Sequence, residues 1–211
     1  MHYRREIDGL RAVAVIPVIL FHAGLGPFDG GFAGVDVFFV ISGYLIAGIV
    51  LDDIDAGRFT LPRFYERRIR RIVPALFVMM AALVPLFWSV MTPAQFRELG
   101  AGMAAAALSV ANILYFYVAG YFDTAAELKP LLHTWSLAVE EQFYIVFPLA
   151  AAWLWPRGRR TFAIAMIAVT ALSFAAAVFS ASRWPDAAFY LPHTRAFELG
   201  IGVLAALAMR N

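Results

Sequence analysis

The chain has 211 residues, of which 62% are hydrophobic, 15% are aromatic and only 15% are charged. This composition excludes an ordinary soluble domain and predicts an all-α integral membrane protein, a polytopic helix bundle. The chain has no cysteine and its four histidines are scattered, which excludes disulfides and thiolate metal sites, so we expect no metal.

Apolar segments of membrane length follow one another along the chain. A helix needs about 20 mainly apolar residues to cross a bilayer. This length predicts six spans, near residues 10–28, 33–51, 72–91, 137–156, 161–180 and 193–209. The apolar stretch 100–118 is predicted to be interfacial or re-entrant, because a seventh crossing there would put the arginines of 157–160 on the wrong side.

Arginine clusters predict the orientation of these spans. Lys and Arg are in excess at the cytoplasmic ends of membrane helices, and the basic residues concentrate at 4–5, 58–71, 157–160 and 210. Six crossings put all of these on one side, which predicts a multi-pass protein with a cytoplasmic N-terminus. Because no cleavage pattern follows the first apolar run, we expect the N-terminus to be retained.

Arg11 and His22 lie on one face of the first predicted span. Eleven residues return to within about 20° of the same direction and separate the two side chains by about 16 Å along the helix axis. An imidazole is suited to general-base work near neutral pH, and a guanidinium is suited to binding a phosphate or carboxylate. The alternative, equally open from these residues alone, is that Arg11 anchors the helix and His22 is a hydrogen-bonded packing residue.

A basic run from Arg67 to Pro74 begins just before the third predicted span. Arg68 and Arg71 are three residues apart and therefore share a helix face, from which guanidinium groups can bind a phosphate bidentately. Taken by itself, however, such a run is more often a topology anchor or a contact with anionic lipids.

The segment 133–144 puts two carboxylates, Glu140 and Glu141, at the mouth of an apolar span. A charged residue within a span costs about 2.5–3.5 kcal/mol on insertion scales, so it usually marks a site or a pathway. Ser136 and Glu140 share one helix face and Glu141 points to the adjacent face. A carboxylate in this position can orient an imidazole, bind a substrate hydroxyl or accept a proton.

The same segment has a structural interpretation, in which it caps a helix at the membrane interface. His133 and Trp135 then lie just outside the span, and Trp135 and Tyr144 are aromatic anchors. Two adjacent glutamates exceed what a cap needs. In the last predicted span, Arg195 and Glu198 are three residues apart, and a simple ion pair between them is favoured over a chemical role.

Several of these motifs, taken in order, resemble the membrane acyltransferase 3 family. They cover nearly the whole chain and are Asp8–Arg11 to His22, Gly34–Ile46, Arg67–Pro74, His133–Tyr144 and Arg195–Gly202. The pattern is similar to that of bacterial O-acetyltransferases that modify the O-antigen of lipopolysaccharide and other envelope glycans.

The resemblance implies that an acyl group, usually acetyl, passes from cytoplasmic acetyl-CoA to a sugar hydroxyl at or across the bacterial inner membrane. The implied partners are membrane lipids and a carbohydrate acceptor such as O-antigen, peptidoglycan or exopolysaccharide, with no nucleic acid.

The resemblance also implies roles for individual residues. His22 corresponds to the essential histidine, acting as a base or as an acyl carrier, and Arg11 corresponds to the arginine that precedes it. Glu140 and Glu141 correspond to the family's acidic pair. The pair that meets the CoA phosphates is Arg68 and Arg71. Residues with substrate-binding or structural roles are Asp36, Ser42, His133, Trp135, Ser136, Arg195 and Glu198.

Related domains resemble larger bundles, so we expect residues 1–211 to be the N-terminal part of a membrane acyltransferase domain, and the sequence leaves open whether this part is active alone. One rival interpretation is a proton-coupled transporter or channel segment with a relay through His22, Asp36, Glu140 and Glu141. Such proteins often contain repeats, and the sequence has none. Another rival, a lipid-binding or assembly subunit, leaves the histidine and the glutamates unexplained.

Overall fold

The computed structural model describes residues 5–119 and 129–210. Within these ranges the chain is helical and contains no β-strand, which confirms the prediction of an all-α membrane protein. The helices are α1 Arg5–His22, α2 Gly34–Asp55, α3 Leu61–Trp88, α4 Pro93–Ala107, α5 Ala111–Val118, α6 Thr134–Leu154, α7 Arg159–Ala181, α8 Pro185–Tyr190 and α9 Pro192–Ala208.

Four segments of the described chain are long and apolar enough to cross a membrane. They are Gly31–Asp55, Leu61–Trp88, Thr134–Arg157 and Arg159–Ala181, and they correspond to four of the six predicted spans. The other two predicted spans, 10–28 and 193–209, correspond to α1 and α9, which have 18 and 17 residues. Both of these helices carry charged residues in their first turns, which lowers their hydropathy.

The stretch 100–118 forms two helices. α4 ends at Ala107 and α5 begins at Ala111, with a turn between them in which Ser109 adopts the left-handed conformation (φ 57°). With 15 and 8 residues, α4 and α5 are about 22 Å and 12 Å long, and neither matches the thickness of a bilayer core. This arrangement agrees with the predicted interfacial or re-entrant segment.

Basic residues from several helices lie at one end of the bundle. Asp55, at the C-terminus of α2, accepts hydrogen bonds from Trp155 Nε1 and Arg210 Nη2, both at 2.5 Å. Arg159 Nη2 donates to the carbonyl oxygen of Leu207 at 2.8 Å. We call this the basic end. The arginines of 58–71, 157–160 and 210 therefore lie at one end, as the predicted topology requires, while residue 4 and the side chain of residue 5, which form the first predicted cluster, lie outside what the structure describes.

The opposite end, which we call the distal end, contains the C-terminus of α1 and the N-termini of α2, α6 and α9. Arg195 on α9 pairs there with Asp36 on α2 and lies over the ring of Trp135 on α6. The predicted candidates are therefore divided between two ends of the bundle.

The centre of the bundle depends on a close approach of α2 and α9, the most extensive helix pair. A Cβ atom on Gly43 would overlap the carbonyl oxygen of Leu199, and one on Gly202 would overlap that of Val40. Only glycine permits backbones to approach so closely, which is a common device between membrane helices.

We expect Gly43→Ala to destabilise the protein, because the added methyl group meets backbone that cannot rotate away. Overpacking of this kind typically costs about 1–3 kcal/mol, measured here as a lower free energy of unfolding in detergent. The matched control is Gly100→Ala on α4, where a Cβ would meet nothing within 4 Å. Equal stability of the two variants would contradict the close α2–α9 contact.

Candidate active site

A cavity of about 470 Å³ opens at the basic end, among α1, α2 and α3. Its apolar wall is formed by Ile7, Leu45, Ile46 and Ile49. The charged residues that line it are Asp8, Arg11, Asp52, Asp53, Arg58, Arg67, Arg68 and Arg71. Ser42 and Tyr144 complete the lining. The cavity thus combines an apolar wall with concentrated positive charge.

The helical period of α3 directs part of the basic run into this cavity. Arg68 and Arg71 both line it, which confirms that they share a face, and Arg68 lies 5.9 Å from the ring centroid of the buried Phe64. Arg70, on the outer face, instead pairs with Glu66 at 2.7 Å. The run therefore has one inward and one outward face.

Asp53 pairs with two of the cavity's arginines. This buried carboxylate, 7% exposed, accepts from Arg58 Nε at 2.8 Å and from Arg67 Nη2 at 2.9 Å. Sequence analysis did not single out Asp53, because the two arginines that it binds lie across the turn between α2 and α3. The single negative charge of Asp53 offsets one of the two guanidinium charges, so this cluster adds one net positive charge to that of the remaining arginines.

The remaining arginines have unmet hydrogen-bonding capacity. Arg68 and Arg71 form no ion pair with an acidic residue of the described chain, and Arg11 approaches Asp8 only to 3.8 Å. The Nε atoms of Arg11 and Arg68 are buried and have no acceptor among the described residues. Buried donors are normally satisfied, so the cavity suits an anionic ligand such as a phosphate ester.

A buried carboxylate lies behind the inner wall of the cavity. Glu140, 7% exposed, accepts hydrogen bonds on Oε1 from the hydroxyl groups of Ser42 and Tyr144. The charges of Arg11 and Arg71 also act on this carboxylate. Ser42 and Tyr144 therefore present hydroxyl groups that are backed by a carboxylate and flanked by guanidinium groups.

The interpretation of Trp135 and Tyr144 as interfacial anchors is wrong. Tyr144 is 8% exposed and Trp135 is 6% exposed, so both rings pack inside the bundle. Trp and Tyr occur both as anchors at the membrane interface and as residues that pack inside a bundle. Their contacts with other helices are what distinguish the two cases. Sequence analysis therefore missed Tyr144 as part of the site.

Glu141 diverges from Glu140. Its Oε2 accepts from Ser109 Oγ at 2.7 Å, at the turn between α4 and α5. The neighbouring Gln142 donates to the Ser109 carbonyl oxygen and to Asn112 Oδ1, both at 2.8 Å. The structure therefore does not bring Glu141 to the cavity. The contacts of Glu141 and Gln142 instead attach α6 to α5 and to the turn between α4 and α5.

His22 ends α1 at the distal end and does not line the cavity. Its side chain is exposed, and Nδ1 donates to the Val18 carbonyl oxygen at 2.8 Å. In the neutral ring this bond leaves Nε2 as the proton acceptor. Arg11 and His22 therefore lie on the same helix, about 16 Å apart along its axis. Arg11 lines the cavity at the basic end, and His22 lies at the distal end.

His133 lies close enough to His22 for the charges of the two rings to interact. Partial desolvation lowers the pKa of His133 below its ordinary value, and a positive charge on His22 acts in the same direction, against the hydrogen bond with the Pro130 backbone. A positive charge on His22 therefore disfavours the protonated form of His133. Ser136 donates to the His133 carbonyl oxygen at 3.0 Å, which is a structural role at the helix start.

The distal end also contains an ion-pair cluster centred on Arg195. Arg195 Nη1 pairs with Glu198 Oε1 at 2.6 Å, as its spacing predicted, and Nη2 pairs with Asp36 Oδ1 at 3.2 Å. The guanidinium also lies 5.5 Å from the Trp135 ring centroid and 5.4 Å from that of Phe189. The contacts with Asp36 and Phe189 join separate helices and could not be predicted from local spacing.

Comparison with known proteins identifies relatives across the chain. The family profile described as an acyltransferase domain matches residues 4–210. The peptidoglycan O-acetyltransferase OatA of Listeria monocytogenes is 36% identical over 210 residues, which cover 97% of this chain and 34% of that protein. The putative peptidoglycan O-acetyltransferase YrhL of Bacillus subtilis is 35% identical over 215 residues, covering 97% of this chain and 33% of that protein.

A further relative, O-acetyltransferase OatA of Staphylococcus aureus, is 38% identical over 156 residues, covering 72% of this chain and 25% of that protein. The chain thus spans about a third of the length of the first two relatives. No solved structure matches the chain.

Proposed function

The chain belongs to the acyltransferase 3 family, and from this membership we propose that it takes part in transferring an acetyl group from acetyl-CoA to a hydroxyl of an envelope carbohydrate. The relatives are named as O-acetyltransferases, and two of the names specify peptidoglycan. We therefore propose peptidoglycan as the acceptor, ahead of O-antigen or exopolysaccharide.

The observation that carries the proposal is the unmet positive charge of the cavity beside two buried hydroxyl groups. Arg68 and Arg71 are the residues that would hold the phosphates of the donor, since both line the cavity and the buried Nε atom of Arg68 has no acceptor among the described residues. The apolar wall suits the uncharged arm of an acyl-CoA, whose thioester supplies the activated acyl group. Ser42 and Tyr144 line the same cavity, and their hydroxyl groups donate to Glu140.

We assign donor binding to the basic end of the bundle and activation of the acceptor to the distal end. The basic end is the expected cytoplasmic side of the bacterial inner membrane, where acetyl-CoA is available, and this orientation also makes the N-terminus cytoplasmic. The distal end then faces outward, where His22 Nε2 is free of the helix backbone and can take a proton from an acceptor hydroxyl.

The described contacts do not favour the rival proton relay. Asp36 pairs with Arg195, Glu140 is bonded to Ser42 and Tyr144, and Glu141 is bonded to Ser109. These carboxylates therefore have separate partners on separate faces, whereas a relay needs neighbouring titratable groups.

We expect Arg68→Ala and Arg71→Ala each to raise the KM for acetyl-CoA by about 10–100-fold, because a hydrogen bond to a charged group contributes about 1.5–3 kcal/mol. The assay is the release of free CoA by proteoliposomes supplied with acetyl-CoA and an N-acetylglucosamine oligomer, with the ester on the oligomer identified by mass spectrometry.

Arg70→Ala is the matched control, since Arg70 belongs to the same run but pairs outward with Glu66, and its side chain is 78% exposed. Its KM should stay at the wild-type value. If all three variants retained that KM, the donor site would not be in this cavity.

A further inference from the structure

Two arginines of the cavity are held side by side by one carboxylate. Asp53 Oδ1 accepts from Arg58 Nε at 2.8 Å, and Asp53 Oδ2 accepts from Arg67 Nη2 at 2.9 Å. A guanidinium group has five N–H donors, and within residues 5–119 and 129–210 neither of these two has a second acceptor. Both side chains line the cavity, so their other donors can meet a ligand there.

The arrangement around Asp53 suits a terminal phosphate group. A phosphate monoester carries a charge of about −1.5 to −2 at pH 7 and offers three acceptor oxygens, which two neighbouring guanidinium groups can share. Asp53 is 7% exposed and both of its oxygens are bonded, so it fixes the two guanidinium groups before a ligand arrives. Such preorganisation lowers the cost of binding, whereas an arginine that only anchors a helix needs no buried partner.

The cationic groups follow one another from the mouth of the cavity inward. Arg58 lies in the turn between α2 and α3, at the basic end. The helical rise puts Arg71 about 6 Å farther along α3 than Arg67, away from that end. On α2, Ser42 lies about 16 Å along the axis from Asp53 and lines the cavity on its inner side.

An acyl-CoA has the same order of groups along its length. One phosphate is attached to the 3′-oxygen of the ribose, the diphosphate follows between the ribose and the pantetheine arm, and the uncharged arm leads to the thioester. With the arm along the apolar wall and the diphosphate at Arg68 and Arg71, the ribose is on the side of the mouth. Arg58 and Arg67 are the cavity's arginines on that side.

We propose that Arg58 and Arg67 bind the 3′-phosphate of the donor, a proposal that rests on the donor being an acyl-CoA. The cluster then selects the class of thioester that the protein accepts. A free CoA thioester has the 3′-phosphate. A thioester on the phosphopantetheine arm of a carrier protein lacks this phosphate and leaves the two guanidinium groups without their ligand.

The test is equilibrium binding of CoA and of 3′-dephospho-CoA to the purified protein in detergent, measured by titration calorimetry. Wild-type protein should bind 3′-dephospho-CoA about 10–100-fold more weakly than CoA, because hydrogen bonds between charged groups are lost. Arg58→Ala and Arg67→Ala should each weaken the binding of CoA but not that of 3′-dephospho-CoA. The ratio of the two Kd values should therefore fall towards one in both variants.

Two other arginines of the same run supply the controls. Arg70→Ala should leave both Kd values unchanged, since Arg70 pairs outward with Glu66. Arg71→Ala should weaken both ligands by a similar factor and preserve the ratio, because both ligands contain the diphosphate. A ratio that stays at the wild-type value in Arg58→Ala and Arg67→Ala, or that falls only in Arg71→Ala, would overturn the proposal.

Arg58→Ala keeps the test decisive if Arg67→Ala does not fold. The Arg58 side chain is 54% exposed and belongs to a turn, and its removal leaves the pair of Asp53 with Arg67 in place. A wild-type ratio in Arg58→Ala alone would then count against the proposal.

Failure of this proposal is distinguishable from failure of the proposed function. Equal binding of CoA and 3′-dephospho-CoA by wild-type protein would remove the 3′-phosphate site and leave the donor assignment in place. If wild-type protein bound neither ligand, both proposals would be overturned.

Discussion

His22→Ala is expected to abolish acetylation of the carbohydrate while acetyl-CoA binds as before. Removing a positioned general base typically lowers the rate by about 10²–10⁴-fold. Donor binding should be unchanged, because His22 lies at the distal end and does not line the cavity that contains Arg68 and Arg71. The measurement is ester formation on an N-acetylglucosamine oligomer, compared with the KM for acetyl-CoA.

His193→Ala is the matched control for this prediction. His193 is an exposed histidine in the first turn of α9, at the same end of the bundle, so a general effect of losing a distal imidazole would appear in both variants. Transfer should be lost only with His22. If His22→Ala weakened acetyl-CoA binding as much as Arg68→Ala does, the separation of donor and acceptor ends would be wrong.

The parts of the site that follow from helical period were predictable from the sequence. Arg68 and Arg71 share a face because they are three residues apart, and the Arg195–Glu198 pair forms for the same reason. The divergence of Glu140 and Glu141 also follows from the rotation of about 100° per residue. Each of these features depends on one helix alone.

The features that sequence analysis missed depend on contacts between helices. Tyr144 is a cavity residue because Ser42, on α2, brings α2 against the face of α6 that carries Glu140. Asp53 acquires its role from Arg58 and Arg67, which approach it only after the chain turns between α2 and α3. Residue spacing along one helix holds no information on such neighbours.

Contacts between helices also affect which helices can be recognised as membrane spans from the sequence. Hydropathy detects helices whose surface is apolar enough to face lipid. α9 packs against α2 and α7 and therefore needs less apolar surface. Its N-terminal turns therefore carry an ion pair. A segment of 17 residues with Arg195 and Glu198 near its start falls below the length that α2 or α7 reaches.

Arg195→Met is expected to destabilise the protein by about 3–5 kcal/mol, because it leaves a buried carboxylate without its cation. The side chain of Glu198 is only 3% exposed and its Oε2 has no other partner among the described residues, whereas that of Asp36 is 41% exposed and can still reach water. Glu198→Leu removes one of the two carboxylates that pair with Arg195. This variant should be destabilised less than Arg195→Met, since Asp36 still pairs with the guanidinium group. The measurement is the free energy of unfolding in detergent for both single variants and the double variant.

The double variant decides whether this cluster is structural or takes part in the chemistry. Replacing a buried ion pair by apolar side chains of similar volume is often neutral, so Arg195→Met with Glu198→Leu should recover most of the lost stability. The control is a double-mutant cycle on the exposed pair Arg70–Glu66, whose side chains are 78% and 57% exposed. The coupling energy of that pair should be no more than about 0.5 kcal/mol. If acetyl transfer returns together with stability, the pair only holds α9 in place, because restored packing cannot replace a charge that contacts the acceptor. If stability returns and transfer does not, Arg195 or Glu198 acts on the carbohydrate, and the distal end then contains acceptor-binding residues besides His22.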